Sequence, residues 1–296
     1  MELYLLRSFL AVAEARSFSG AARAIHSTQS AVSRQIAKLE KELGVQLFER
    51  YGRHVDCTPA GQLLLPLVAE VVTGTDRVIS LAREQAGTAT RKVRFGAVPN
   101  VLANLLAPIL VNFLAESPDT SVDLVAMEDA LIEEAVANGE LDCAVITPWG
   151  SSRVVTRHLL TEEILLVVPE GHHLADCPAV SFEMLAGESI LLPPATHNFY
   201  NTVAAAMRKA GIEPRAPYRA NYPELTKALV RKGVGVAPLP KMLVTGEGLE
   251  GLVAIPFAQP LYRNLCLVYQ RGRSMSPGTR ALMNYVKAAV SHQETE

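Results

Sequence analysis

Residues 17–50, SFSGAARAIHSTQSAVSRQIAKLEKELGVQLFER, constrain the fold more than any other stretch of this chain. They read as two helices joined by a tight turn. Ser19 is placed to cap a short helix over 20–25, where Ala21, Ala22 and Ala24 let a second helix approach closely. His26 and Ser27 break the pattern. Thr28 then caps a longer helix, because its hydroxyl can accept from N–H groups two or three residues on. Within that helix Val32, Ile36, Leu39 and Leu43 recur at spacings of four, three and four, one apolar stripe at helical period. Gly44 ends it. The opposite side carries Gln29, Ser30, Ser33, Arg34, Gln35 and Lys38. An ordinary amphipathic helix has the same periodicity, so the residue types carry the argument. In a helix-turn-helix the second helix lies in the major groove with its N-terminal side chains at the base edges. There Gln29 can read adenine, Arg34 guanine, and Ser30 or Ser33 a base edge or a phosphate.

These residues resemble the DNA-binding domain of LysR-type transcriptional regulators. The family pattern runs FxxVAExxSFxxAAxxLxxSQPAVSRQIxxLExxLGxxLFxR and then LTxAG. The chain supplies Phe9, Val12-Ala13-Glu14, Ser17-Phe18, Ala21-Ala22, Gln29, Ala31-Val32-Ser33-Arg34-Gln35-Ile36, Leu39-Glu40, Leu43-Gly44, Leu47-Phe48-Glu49-Arg50 and Thr58-Pro59-Ala60-Gly61. It departs at the start of the recognition helix, with Thr28 for the usual Ser and Ser30 for the usual Pro. Thr28 keeps a capping hydroxyl; Ser30 gives up preorganisation at N1 and adds a hydroxyl that can touch DNA. The resemblance implies a winged helix-turn-helix over 1–58. Strands at 45–48 and 54–57 would flank the wing, with Arg50 and Arg53 near its tip to meet phosphates or a minor groove.

Thr58 as N-cap and Pro59 at N1 start a long helix to about residue 86, so 59–88 reads as a linker. Leu64, Val68, Val71, Thr75, Val78, Ala82 and Gln85 form a heptad-like seam, which predicts pairing with a second copy. Pro66 removes one hydrogen bond to Gln62 and predicts a kink. The resemblance implies the same dimer, and a homotetramer through the remaining domain.

From residue 92 strands alternate with helices, which argues an α/β fold with mainly parallel sheets. The resemblance implies an effector-binding domain over 89–296, two-lobed like type 2 periplasmic binding proteins. Lobe one takes 92–161 and 267–296, lobe two 162–266, with crossings near Thr161 and Cys266. Strands are expected at 154–160, 164–168, 189–192, 218–221, 234–239 and 265–269. The expected fold class is thus α+β multidomain: winged helix-turn-helix, long linker helix, two-lobed α/β effector domain. Ligands in such sheets bind at strand C-terminal ends and helix N-termini. That rule names Asn100 and Val101, Thr147 and Trp149, Thr196, His197, Asn198 and Tyr222 as candidate effector contacts. Free N–H groups there suit a carboxylate and the aromatic side chains an aromatic acid.

Charge supports the head only weakly. Residues 1–58 hold eight Lys/Arg against six Asp/Glu, and the remainder twenty against twenty-four. No signal peptide is read at the N-terminus and no apolar run suggests a membrane span, so a cytoplasmic protein is expected. Cys57, Cys143, Cys177 and Cys266 form no C-x-x-C pair and read as inert reduced thiols. Regulators of this family that sense oxidants use a cysteine pair in the second lobe; only Cys177 falls within it, so that role is not carried over. His172-His173 sits in a turn, and two adjacent imidazoles without a third ligand hold little, so no metal is expected. No cofactor is expected either. G-x-S-x-G, H-E-x-x-H and the P-loop motif are absent, which argues against an enzyme. The alternative is a bilobal solute-binding protein or enzyme with an incidental head. The expected partners are double-stranded DNA, a small-molecule effector, further copies of the chain and, for an activator, RNA polymerase, with no membrane.

Overall fold

The structure is a computed structural model that describes residues 1–51, 54–85, 91–213, 222–244 and 249–293. The chain divides into two compact units, Met1–Ala89 and, in the main, Thr90–Ala137 with Leu141–Glu296.

In the first unit, α1 (Leu3–Ala15), α2 (Phe18–Ala24) and α3 (Gln29–Leu43) enclose a core of Leu5, Phe9, Ala21, Val32 and Leu39. Ser17, not Ser19, caps α2, its Oγ accepting the Gly20 N–H at 3.2 Å. The cause lies upstream. Arg16 takes a left-handed conformation, so the chain re-enters a helix at Phe18, whose ring meets Phe48 edge-on at 6.1 Å. Thr28 caps α3 as expected, accepting the Ala31 N–H at 3.2 Å, and Gly44 closes it at φ 73°. The wing is β1 (Phe48–Tyr51) antiparallel to β2 (His54–Cys57). Its first strand begins at Phe48 and not at Val45, because the Leu47 N–H is taken by Glu40 Oε1 at 2.8 Å and the Leu47 carbonyl by the Thr58 N–H. A Cβ on Gly61 would stand 2.3 Å from that same carbonyl, so the position admits only glycine.

Thr58 and Pro59 start α4 (Pro59–Gln85), which runs on through Pro66. The Thr58 hydroxyl accepts the Gly61 N–H at 3.0 Å. Here the seam expected from the heptad differs. Val68 and Val72 are each 8% exposed and join the head core, with Leu64 packed beside them. The stripe left open is Leu63, Leu67, Val71 and Val78, at 73%, 56%, 51% and 68% exposure. The first turns of α4 are shared between two apolar faces: of the expected seam, Leu64 and Val68 are spent on the head core, while Val71 and Val78 stay open.

The second unit begins with β3 (Arg91–Ala97). A helix follows in three pieces: α5 (Pro99–Val101), a π-turn over Leu102–Leu106, and α6 (Ala107–Glu116). Pro108 has no N–H to give Asn104, and the wider π-turn absorbs the defect, with the Ala107 N–H reaching back to Leu102. This helix, Pro99–Glu116, is long and apolar enough by composition to cross a bilayer, contrary to the expectation above. One face of it, with Val101, Leu106, Ile109 and Phe113, is buried in the core of this unit. Then come β4 (Thr120–Ala126), α7 (Asp129–Ala137), β5 (Cys143–Ile146), β6 (Val154–Pro169), α8 (Asn198–Lys209), α9 (Pro223–Arg231), β7 (Ala237–Pro240), β8 (Leu252–Gln270) and α10 (Pro277–Gln293).

Among the described residues one six-stranded sheet runs β4-β3-β5-β8-β6-β7. Only β3 with β4 and β5 is parallel. The two strands expected at 154–160 and 164–168 are one, β6, paired antiparallel with β8 from Val154↔Gln270 to Pro169↔Leu252. These long strands carry the chain between the lobes. The first half of β8 escaped the sequence because Pro256 and Pro260 interrupt its alternation; the register jumps there, from Ile164↔Leu261 to Leu165↔Pro256. The strand expected at 189–192 is only an isolated bridge, Ile190↔Val236, and the one at 218–221 lies outside the described residues. Separate cores fill the lobes, one around Phe95, Phe113 and Ile146, the others around Ile164 and Leu166 and around Val167 and Leu239.

Candidate nucleic-acid interface and ligand cleft

The start of α3 presents its polar side chains freely. Thr28, Gln29, Ser30 and Arg34 are exposed, and Arg34 Nε donates to the Ser30 carbonyl at 3.3 Å, which keeps the guanidinium along the helix. The next turn differs. Gln35 faces α1, where its Oε1 accepts the hydroxyl of buried Ser8 at 2.6 Å. The Lys38 ammonium is bound by Glu2 and Tyr4, and the hydrogen bond it donates to Glu2 raises its pKa. Ser33 is half-buried beside Ile36 and Glu40. Gln35 and Lys38 therefore brace the recognition helix against α1. The Arg50 side chain and Arg53 lie outside the described residues.

In the second unit a cleft with ≈ 690 Å³ of empty space, open to solvent, lies where the lobes meet. Lobe one contributes Val98, Pro99, Asn100 and Asp129. Lobe two contributes His197, Phe199, Tyr222, Thr226 and a wall of Leu191, Leu239 and Leu243 with Pro193, Pro223, Pro238 and Pro240. Prolines donate no N–H, so polar recognition falls to Asn100, Asp129, His197, Tyr222, Thr226 and Arg263 in the lining. There Arg263, 4% exposed, pairs with Glu162, 6% exposed, at 2.7 Å; the two are cross-strand partners on β8 and β6. Glu162 also accepts the Met242 N–H at 2.6 Å.

Asp129 begins α7 and is 4% exposed. Burial raises its pKa; the Thr147 amide at 3.1 Å, Arg263, His197 and the Asn198 amide pull the other way. The lobes are latched beside it. Asn198 Nδ2 donates to the Pro148 carbonyl at 2.6 Å, and His197 Nε2 stands 3.6 Å from Glu128 Oε1. That imidazole nitrogen is buried and has no hydrogen-bond partner among the described residues.

Both halves of the chain match one family. Residues 3–62 match the bacterial regulatory helix-turn-helix protein of the lysR family, and residues 86–291 the LysR substrate binding domain. The chain belongs to the LysR family. Among curated relatives of this LysR-type regulator, a probable hydrogen peroxide-inducible genes activator of Mycobacterium avium is 30% identical, covering 97% of this chain and 94% of that one. The transcriptional dual regulator GltC of Bacillus subtilis (strain 168) is also 30% identical, over 97% and 96%. The full-length CbnR structure complexed with its target DNA shares the fold, with a TM-score of 0.73 at 21% identity over 98% and 100% of the two chains. The protein is a DNA-binding transcriptional regulator with an effector-binding domain.

Of the effector contacts expected in this LysR-type regulator, Asn100, His197 and Tyr222 line the cleft. Val101 is fully buried in the core, and Thr196 and Trp149 are exposed away from the cleft lining. Thr147 and Asn198 serve the latch. Asp129, Thr226 and Arg263 were missed. The strand-end rule, applied also to β4, leads to Glu128 and Asp129. Arg263 carried no signal, since its strand was not recognised. The four cysteines are free. Burial pushes the Cys143 thiol well up and the Cys266 and Cys57 thiols up, away from the thiolate that reacts with oxidants.

Proposed function

We propose that this regulator is a cytoplasmic homodimer, further paired to a homotetramer, that reads operator half-sites with Gln29, Ser30 and Arg34. Its small-molecule effector sits between the lobes and carries out no chemistry there. The observation that supports the effector site best is the buried His197 Nε2, 3.6 Å from Glu128 Oε1 and without a hydrogen bond, in the lining of a mostly apolar cleft. A buried polar atom without a partner costs roughly 1–3 kcal/mol, which a ligand's acceptor or donor offsets. Proline and aromatic walls suit a compact apolar body, an aromatic acid among them. A ligand shifts the lobes only by its differential affinity for their arrangements.

The dimer is assigned to the open stripe of α4. Changing Leu67 and Val71 together to Glu is expected to give monomers in sedimentation and to abolish binding of a promoter fragment, because one head makes too few contacts alone. A dimer that survives with its DNA affinity intact refutes the assignment. For the cleft, a thermal-shift screen of aromatic and aliphatic carboxylates should return hits that His197→Ala loses; hits indifferent to that change refute the site. Thiol-based peroxide sensing, suggested by the name of the M. avium relative, is the second reading. The raised thiols of Cys57, Cys143 and Cys266 disfavour it.

A further inference from the structure

The turn after β6, Gly171-His172-His173-Leu174, offers two imidazoles, and the fold brings a third group to them that is distant in sequence. Gly187 turns the chain at φ 93°, and Glu188 follows. One carboxylate oxygen stands 3.5 Å from His172 Nε2 and the other 3.6 Å from His173 Nε2. Ligand atoms from all three residues lie within 4.8 Å of one another. The two rings are tilted by 34° with centroids 4.4 Å apart, and the Nε2 of each stands near the same carboxylate.

We propose that His172, His173 and Glu188 form a binding site for a divalent transition-metal cation such as Zn²⁺, in the outer part of lobe two. The spacing carries the argument. At 3.5 and 3.6 Å the nitrogens and oxygens stand beyond ordinary hydrogen-bond contact. Two donors each ~2.1 Å from a tetrahedral zinc stand about 3.4 Å apart, and each imidazole nitrogen has one Glu188 oxygen near that distance. Two neutral imidazoles with one carboxylate is a donor set that zinc takes with a water in the fourth position, and one that magnesium does not favour. Solvent access exists, since the His173 side chain is 66% exposed while His172 and Glu188 are 17% and 22% exposed.

One contact sets the strength. The Leu174 N–H donates to His172 Nδ1 at 3.3 Å. Coordination through Nε2 places the ring proton on Nδ1 and gives up that long bond. Loading the site therefore costs that bond. The supports behind it are firm. The Ser189 carbonyl accepts the Val236 N–H at 2.9 Å, and a Cβ on Gly235 would lie 2.2 Å from that carbonyl. Leu191 and Pro193, which follow, line the cleft. A bound ion ties the turn after β6 to the segment that enters the cleft wall.

The full chain, untagged and stripped with EDTA, is titrated at pH 7.5 with ZnCl₂ and separately with MgCl₂ in a calorimeter. Zinc is expected to bind one per chain at micromolar concentration and magnesium not at all. His173→Ala and Glu188→Gln should each weaken zinc at least about tenfold while leaving the metal-free melting temperature unchanged. His172→Ala is avoided because His172 also braces its own turn. Zinc binding that both variants retain, equal binding of magnesium, or no zinc heat at 100 μM zinc would each overturn the proposal. A variant that melts early without metal is replaced by His173→Gln, judged by the same zinc affinity.

Discussion

The recognition helix and the effector cleft differ in how far apart in sequence their parts lie. Thr28 to Arg34 occupy seven consecutive positions on one helix, and each is placed by its neighbours: a cap, a period of 3.6, an exposed face. The cleft draws on residues from Val98 to Arg263, carried by both lobes and by the strands between them. Local rules place a side chain on a helix to within a turn. They say nothing about which loops converge, because convergence depends on sheet order and strand register.

Arg263→Ala tests that contrast with the largest expected effect. It leaves the buried Glu162 carboxyl without its partner, a loss of about 3–5 kcal/mol when such a pair is broken on one side. Trp149 is the only tryptophan and lies in the effector unit, so urea unfolding followed by its fluorescence reports on that unit. A double change, Arg263→Met with Glu162→Gln, should recover most of the loss, since no unpaired charge remains. Equal instability of single and double variants would mean that packing and not charge makes this junction critical.

An intermediate effect separates the two halves of α3. Arg34→Ala should weaken operator binding roughly ten- to hundredfold, the discrimination carried by one bidentate base contact, with the fold unchanged. Gln35→Ala should do the reverse. It leaves the Ser8 hydroxyl with only the Tyr4 carbonyl and lowers the melting point of the head, with little change in DNA affinity per folded molecule. Fluorescence anisotropy on a promoter fragment, read beside thermal melts, distinguishes them. Equal losses of affinity would place Gln35 among the readers after all.

The same contrast explains what could be read before the fold was known. Caps, stops and stripes were readable at Thr28, Gly44 and Thr58, because each depends on contacts within a few residues. The α2 cap moved from Ser19 to Ser17 once Arg16 took a left-handed turn, a backbone choice that no side-chain pattern announces. On α4 the apolar positions were all visible. Only the packing of Val68 and Val72 against the head showed which face is spent inside the unit and which remains open. In the cleft a strand was expected at 234–239, yet Pro238 and Pro240 became a wall only when β7 paired with β6. Arg263 became visible only with β8 in register.

Asp129 gives the smallest and most specific test. Its folded pKa lies above the ordinary carboxylate value because burial outweighs its amide and cationic neighbours. Unfolded, it titrates near 3.9. Below that pH both states hold the proton and Asp129 contributes nothing to pH dependence. Between 3.9 and the raised folded value the native state holds a proton that the unfolded chain has lost, so stability falls as pH rises through that window. Above it the cost of the buried charge is constant. Asp129→Asn has no such titration, and its amide oxygen can still accept the Thr147 N–H. The wild-type urea midpoint, followed by Trp149 fluorescence, should therefore decline relative to the variant as pH rises from about 4 through the raised folded value, and run parallel beyond. Parallel curves throughout would show that the Thr147 and Asn198 amides with Arg263 fully compensate burial. The latch across the cleft would then be indifferent to the charge at its centre.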